Sequence, residues 1–100
     1  MNTTIKVEDD KYVVSFEGRL DTAAAPTAEK DLQTVTGGDP RDIILDCSAL
    51  EYISSSGLRL FLSLLKTNKA KGKGVIIRQM NEEIRKVFAM TGFINLFSFE

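Results

Sequence analysis

Two short apolar runs constrain this chain more than any other feature. Ile43-Ile44-Leu45 and Val75-Ile76-Ile77 are continuous rather than alternating, the pattern of strands covered on both faces. Between them the period changes: Leu58, Phe61, Leu62 and Leu65 recur at helical spacing and define a core face. Arg59, Ser63 and Lys66 fall on the opposite, solvated face. Leu60 and Leu64 form a flanking stripe that either packs inward or rims a partner surface. A strand–helix–strand unit of this kind makes its two strands parallel through a right-handed crossover.

The remainder extends that plan at both ends. TTIKVE (3–8) alternates, with Ile5 and Val7 on one face; Asp9-Asp10 signals a turn, and KYVVSFEG (11–18) returns as a second strand, so the chain opens on a hairpin. RLDTAAAPTAEKDLQTVTGGDP then takes a helical period. Asp21 or Thr22 caps that helix, Pro26 belongs to its early turns, Leu32 and Val35 point inward, and Gly37-Gly38-Asp39-Pro40 ends it. Asn81 caps a last helix, with Glu82 and Glu83 in the first turn, where the dipole favours carboxylates. Its shared face is Ile84, Val87, Phe88 and Thr91, Gly92 is its stop, and INLFSF (94–99) supplies a final short strand. The order β-β-α-β-α-β-α-β predicts an α/β fold, a mixed and mostly parallel sheet of about four to five strands packed with helices. At 100 residues, with neither repeat nor linker, residues 1–100 read as a single domain.

Composition excludes several chemistries. The chain has no histidine and one cysteine, Cys47, so a His base, a His-ligated metal, a cysteine metal cluster and an internal disulfide are ruled out. No metal or cofactor is expected, and Cys47 reads as a buried packing residue. With 13 basic and 14 acidic residues the net charge is −1, which offers no footprint for nucleic acid or an anionic membrane. The amino terminus lacks a signal-peptide core, and no segment approaches the roughly 20 apolar residues of a membrane span; a cytoplasmic protein is expected.

Enzyme motifs are equally thin. Ser63 and Lys66 fit the S-x-x-K pattern of serine acyl-transfer enzymes, but inside a helix, on its solvated face and without companion motifs. GKG (72–74) precedes a strand and reads as a turn. Asp46 and Glu51 have no base or metal partner, and Asp46 is expected to organise the turn toward the serines that follow. Lys66, Lys69, Lys71 and Lys73 read as a solvated face. No catalytic activity is expected.

Those serines are the unusual feature. Ser54-Ser55-Ser56-Gly57 stands at the mouth of the central helix, where one hydroxyl suffices as a cap. Ser56 as N-cap, accepting the N–H of Leu58 or Arg59, would contribute about 1 kcal/mol. Ser54, Ser55 and Gly57 are left unexplained by it. A helix start beyond a strand's carboxyl end also favours anions. Phosphorylation of Ser56 would add a charge of about −1.5 to −2, which the helix end and Arg59 could accommodate. A flat protein partner could not, because burying an unpaired anion costs several kcal/mol; about 4 kcal/mol is a thousandfold in affinity. The triplet therefore makes sense as a switch.

Three stretches, in order, carry a family resemblance: FEGRLDTAAAP, DIILDCSALEYISSSGLRLF and VFAMTGFINLFSF. Together they resemble the STAS domain of bacterial anti-sigma factor antagonists, and the likeness runs nearly end to end. It implies a STAS fold and a non-enzymatic partner-switching role: the unphosphorylated antagonist binds an anti-sigma factor that is itself a serine kinase, releasing a sigma factor. Phosphorylation of the serine before the glycine, here Ser56, abolishes binding, and a metal-dependent serine phosphatase restores it. Asp21 matches an acidic position expected near that serine. Many members carry Asp-Ser-Ser-Gly, so Ser54 stands for a carboxylate and Ser55 is the alternative acceptor. The implied partner surface comprises Asp21, Ser54, Ser55, Ser56, Gly57, Arg59, Leu60 and Ser63. The same fold also implies an alternative, a docking subunit of a stressosome-like or lipid-transport complex without sigma-factor control.

Overall fold

Elements alternate along the chain as β1 (Asn2–Glu8), β2 (Lys11–Leu20), α1 (Ala25–Thr36), β3 (Ile43–Ile53), α2 (Ser55–Ala70), β4 (Val75–Arg78), α3 (Glu82–Met90) and β5 (Ser98–Phe99), with a 3-10 turn at Phe93–Asn95. This is a computed structural model describing residues 1–100. The strands form one sheet in chain order; β1 and β2 are antiparallel, and every later pair is parallel. Element order and mixed sheet are those expected from the sequence. Asp9 and Asp10 close the hairpin at φ +49° and +65°, a left-handed conformation that Asp tolerates better than most residues.

All three helices bury their apolar residues in one cluster on one face of the sheet. Tyr12, Val14 and Phe16 of β2, Ile43, Leu45 and Cys47 of β3, and Val75 and Ile77 of β4 meet Leu32 and Val35 of α1, Phe61 and Leu65 of α2, and Ile84 and Phe88 of α3. Phe61 is central, its ring 5.3 Å from that of Phe16 and 6.1 Å from that of Phe88. The burial on both faces expected of the apolar triplets is met in full by Ile43-Ile44-Leu45 and in part by Val75-Ile76-Ile77. Val13 and Ile44, opposite one another in register, are buried but stand outside the cluster, and neighbouring Ile76 is only half-buried.

Packing beside α1 rotates the buried arc of α2. Leu60 and Leu64 turn inward, whereas Leu62, expected in the core, is half-buried. Edge strand β1 leaves Val7 exposed although Ile5 packs on the core. The final strand is shorter than expected, because Phe93–Asn95 forms the 3-10 turn after Gly92 at φ +78°. Thr91 is exposed rather than core-facing, its hydroxyl donating to the Val87 carbonyl. Asn81 caps α3 as expected, accepting the Ile84 N–H at 2.9 Å, and its amide also donates to the Leu50 carbonyl at 3.1 Å.

Candidate functional site at the start of α2

Parallel strands β2 and β3 end side by side, Leu20 opposite Ile53, and the Ser54 N–H donates to the Leu20 carbonyl at 2.9 Å. Two register shifts precede that junction. At the first, the Asp46 carboxylate accepts the Ser48 N–H at 3.0 Å. Asp46 thus shapes an irregularity within β3 and does not organise the turn to the serines. At the second, Gly18 adopts φ +101°, and the pairing passes from Gly18–Leu50 to Arg19–Tyr52. Irregularities of this kind re-aim a strand end.

Helix α2 begins earlier than expected, at Ser55. Ser54 is the N-cap: its Oγ accepts the Gly57 N–H at 3.2 Å and its carbonyl accepts the Leu58 N–H at 2.9 Å. The cap assigned to Ser56 is corrected accordingly, since Ser56 already lies within the first turn. Ser54 is only 8 % exposed. A Cβ on Gly57 would come within 2.7 Å of Ile53 Cγ1 and 2.9 Å of Leu20 Cγ, so the glycine lets the helix start sit directly on the strand ends. Ser55 is exposed; Ser56 is half-buried, and Arg59 Nη2 donates to its Oγ at 3.3 Å.

Beside Ser56 a cleft of about 350 Å³ opens between α1 and α2. Ser56, Arg59, Leu60 and Ser63 line one side, and Thr22, Ala25, Pro26 and Glu29 the other. Leu60, expected on the partner surface, is 8 % exposed and contributes only the cleft floor. The groove continues along the helices past Gln33, Thr36 and Thr67. Asp21 caps the turn leading into α1 rather than α1 itself: its Oδ1 accepts the Ala24 N–H at 2.8 Å and its carbonyl the Ala25 N–H at 3.0 Å, while α1 starts at Ala25 without a side-chain cap. Asp21 thereby fixes the loop that carries Thr22 to the cleft.

Of the residues expected at the site, Ser56, Arg59, Leu60 and Ser63 meet in the cleft, Ser54 and Gly57 lie beneath it as structural parts, and Ser55 faces solvent. Thr22, Pro26 and Glu29 were not anticipated, because the period of α1 identifies its exposed side but not which part of it faces α2. Also unanticipated is the Arg19 guanidinium stacked 4.3 Å over Tyr52, itself 40 % exposed, just before the strand ends. Cys47 is fully buried, and burial, reinforced by Asp46, pushes its thiol up to about 12; it is no nucleophile at neutral pH. No cluster of three metal-ligating side chains occurs, and no helix is long and apolar enough to cross a membrane. The Ser56 hydroxyl thus stands at the cleft with the Arg59 guanidinium beside it.

Known proteins share this architecture. An anti-sigma-B factor antagonist of Staphylococcus aureus is 29 % identical over 96 residues, covering 96 % of this chain and 89 % of its own. An anti-sigma factor antagonist of Mycobacterium paratuberculosis superposes with a TM-score of 0.83 at 28 % identity, over 98 % of this chain and 83 % of that one. The Bacillus cell fate determinant SpoIIAA, solved in its phosphorylated form, superposes with a TM-score of 0.75 at 22 % identity, over 99 % and 91 % of the two chains. The family model described as STAS domain matches residues 2–100. Sheet order, the serine–glycine helix start and that end-to-end match agree, and the chain belongs to the STAS domain family.

Proposed function

We propose that this protein is an anti-sigma factor antagonist acting in the cytoplasm. Its unphosphorylated surface at the start of α2 binds an anti-sigma factor serine kinase, and phosphorylation of Ser56 ends that binding. The observation that carries this reading is the division of the triplet: Ser54 is spent as a buried cap, while Ser56 presents its hydroxyl at a surface cleft beside Arg59. Ser55, exposed and without a partner side chain, is the alternative acceptor. The relatives' name as anti-sigma factor antagonists supports the same role, as does a phosphorylated state in a protein of the same fold.

In the modification, Ser56 Oγ attacks the γ-phosphorus of ATP bound to the kinase. The new O–P bond forms as the bond to the departing ADP oxygen breaks, and the hydroxyl proton passes to a base of the kinase. A serine phosphatase reverses this with water. The ester places a near-dianion where a partner surface would otherwise close, and burying that charge unpaired costs several kcal/mol.

The test is incubation of the purified protein with ATP and each anti-sigma kinase of its own genome, then mass spectrometry of residues 51–66. One phosphate on Ser56 is expected. Its absence with every kinase, the protein being folded, would favour a docking subunit without sigma-factor control.

A further inference from the structure

We infer that the cleft between α1 and α2 receives the phosphoryl group of phosphorylated Ser56, held by Arg59 and opposed by Glu29. This rests on the phosphorylation of Ser56 proposed above and adds where the group sits. Arg59 Nη2 already reaches Ser56 Oγ at 3.3 Å, yet its guanidinium makes no ion pair with any carboxylate of the chain. It is a free cation beside the modified oxygen. Charge-assisted bonds from a guanidinium to phosphoryl oxygens are about twice as strong as neutral ones, so the donor transfers from the ester oxygen to the phosphoryl oxygens.

The cleft has room for the group at about 350 Å³, and only two charged side chains line it, Arg59 on α2 and Glu29 on α1. The hydroxyls of Thr22 and Ser63 complete a polar lining. A dianion in this space is attracted from one wall and repelled from the other. Occupying the cleft also covers its Leu60 floor, so the modified protein closes the groove against itself as well as presenting charge to a partner. Arg59 sets how firmly that state is held.

The test uses the full chain with phosphoserine inserted at position 56 during translation, titrated by ³¹P NMR. The second ionisation of phosphoserine ordinarily falls near 6. Arg59→Ala should raise it by about 0.3–0.7 unit and Glu29→Gln lower it by a similar amount, the size expected of a partly exposed ion pair. Arg59→Lys should recover part of the Arg59→Ala shift. Phosphoserine at exposed position 55 should respond to neither change. Both Arg59 and Glu29 are exposed, so the variants should keep the fold, which circular dichroism checks. Identical titrations of phosphorylated Ser56 in all variants would overturn the inference. A response to Arg59 alone would overturn it too, by placing the phosphate on the solvent side of α2. Because no kinase is used, these outcomes are independent of whether a kinase modifies Ser56; failure of the kinase assay would count against the switch and not against the cleft.

Discussion

The Gly57 N–H donates to the hydroxyl of Ser54 at 3.2 Å, which assigns the first serine of the triplet to the helix itself. A carboxylate caps a helix as well as a hydroxyl does, so Ser54 and the aspartate it stands for in the family pattern are interchangeable in that role. Ser54→Ala should therefore lower stability by about 1 kcal/mol in urea unfolding, and Ser54→Asp should leave it close to wild type. Phosphorylation of Ser56 should survive both changes.

Gly57→Ala pits two effects against each other. Alanine gains about 1 kcal/mol in helix propensity, but its Cβ would lie 2.7 Å from Ile53 Cγ1 and 2.9 Å from Leu20 Cγ. Leu20 and Ile53 are themselves buried and have nowhere to retreat. Overpacking of this kind costs about 1–3 kcal/mol. A net loss of up to about 2 kcal/mol is expected in urea unfolding, together with weaker partner binding because the start of α2 must lift from the strand ends.

The Ser56 hydroxyl is the only part of the switch whose replacement should separate its two states. Ser56→Ala should bind the anti-sigma kinase constitutively, since the surface is kept and the acceptor is gone. Ser56→Asp should bind more weakly, with less effect than a phosphate because it carries a smaller charge. Calorimetric titration of each variant with the kinase checks this; wild-type affinity in both would remove Ser56 from the interface.

Much of this architecture was legible because local signals agree with the global fold. Asp9-Asp10, Asn81 and Gly92 each punctuate the chain where their chemistry predicts. The misreadings arise where tertiary contacts decide. Ile43, Ile44 and Leu45 are all buried, as their uninterrupted run predicts, but Ile76 in the matching run of β4 is only half-buried. The start of α2 was misplaced because Ser54, Ser55 and Ser56 are equivalent as caps until the Ser54 N–H is tied to Leu20, a contact between segments distant in sequence. Glu29 was invisible as a site residue for the same reason: its relevance depends on how α1 lies beside α2.

Asp21 offers two separable features, an acceptor for the Ala24 N–H at 2.8 Å and a negative charge one residue before Thr22 of the cleft. Asp21→Asn can keep the first and lose the second. Unfolding stability should then stay near wild type in Asp21→Asn and fall by about 1 kcal/mol in Asp21→Ala. If the charge contributes to recognition, partner affinity drops in both variants; affinity lost only in Asp21→Ala would assign the residue to loop positioning alone.

Cys47 gives the fold a pH signature on the alkaline side. Its thiol is raised from 9.0 to about 12, first by burial and then by the Asp46 charge. Above pH 9 the unfolded chain releases this proton while the folded chain retains it, so the folded state binds more protons and stability falls as pH rises. The contribution is fully present below about pH 9 and is lost progressively towards pH 12. Other groups titrate in that range, which makes the comparison with Cys47→Ala the informative one: the variant should be less stable at neutral pH, from the cavity it leaves, yet lose less stability between pH 9 and pH 11 than wild type does. A thiol reagent should leave native Cys47 unmodified at pH 8 and label it at the rate of unfolding in urea. Prompt labelling of the native protein would show that the strand carrying Cys47 opens locally without global unfolding.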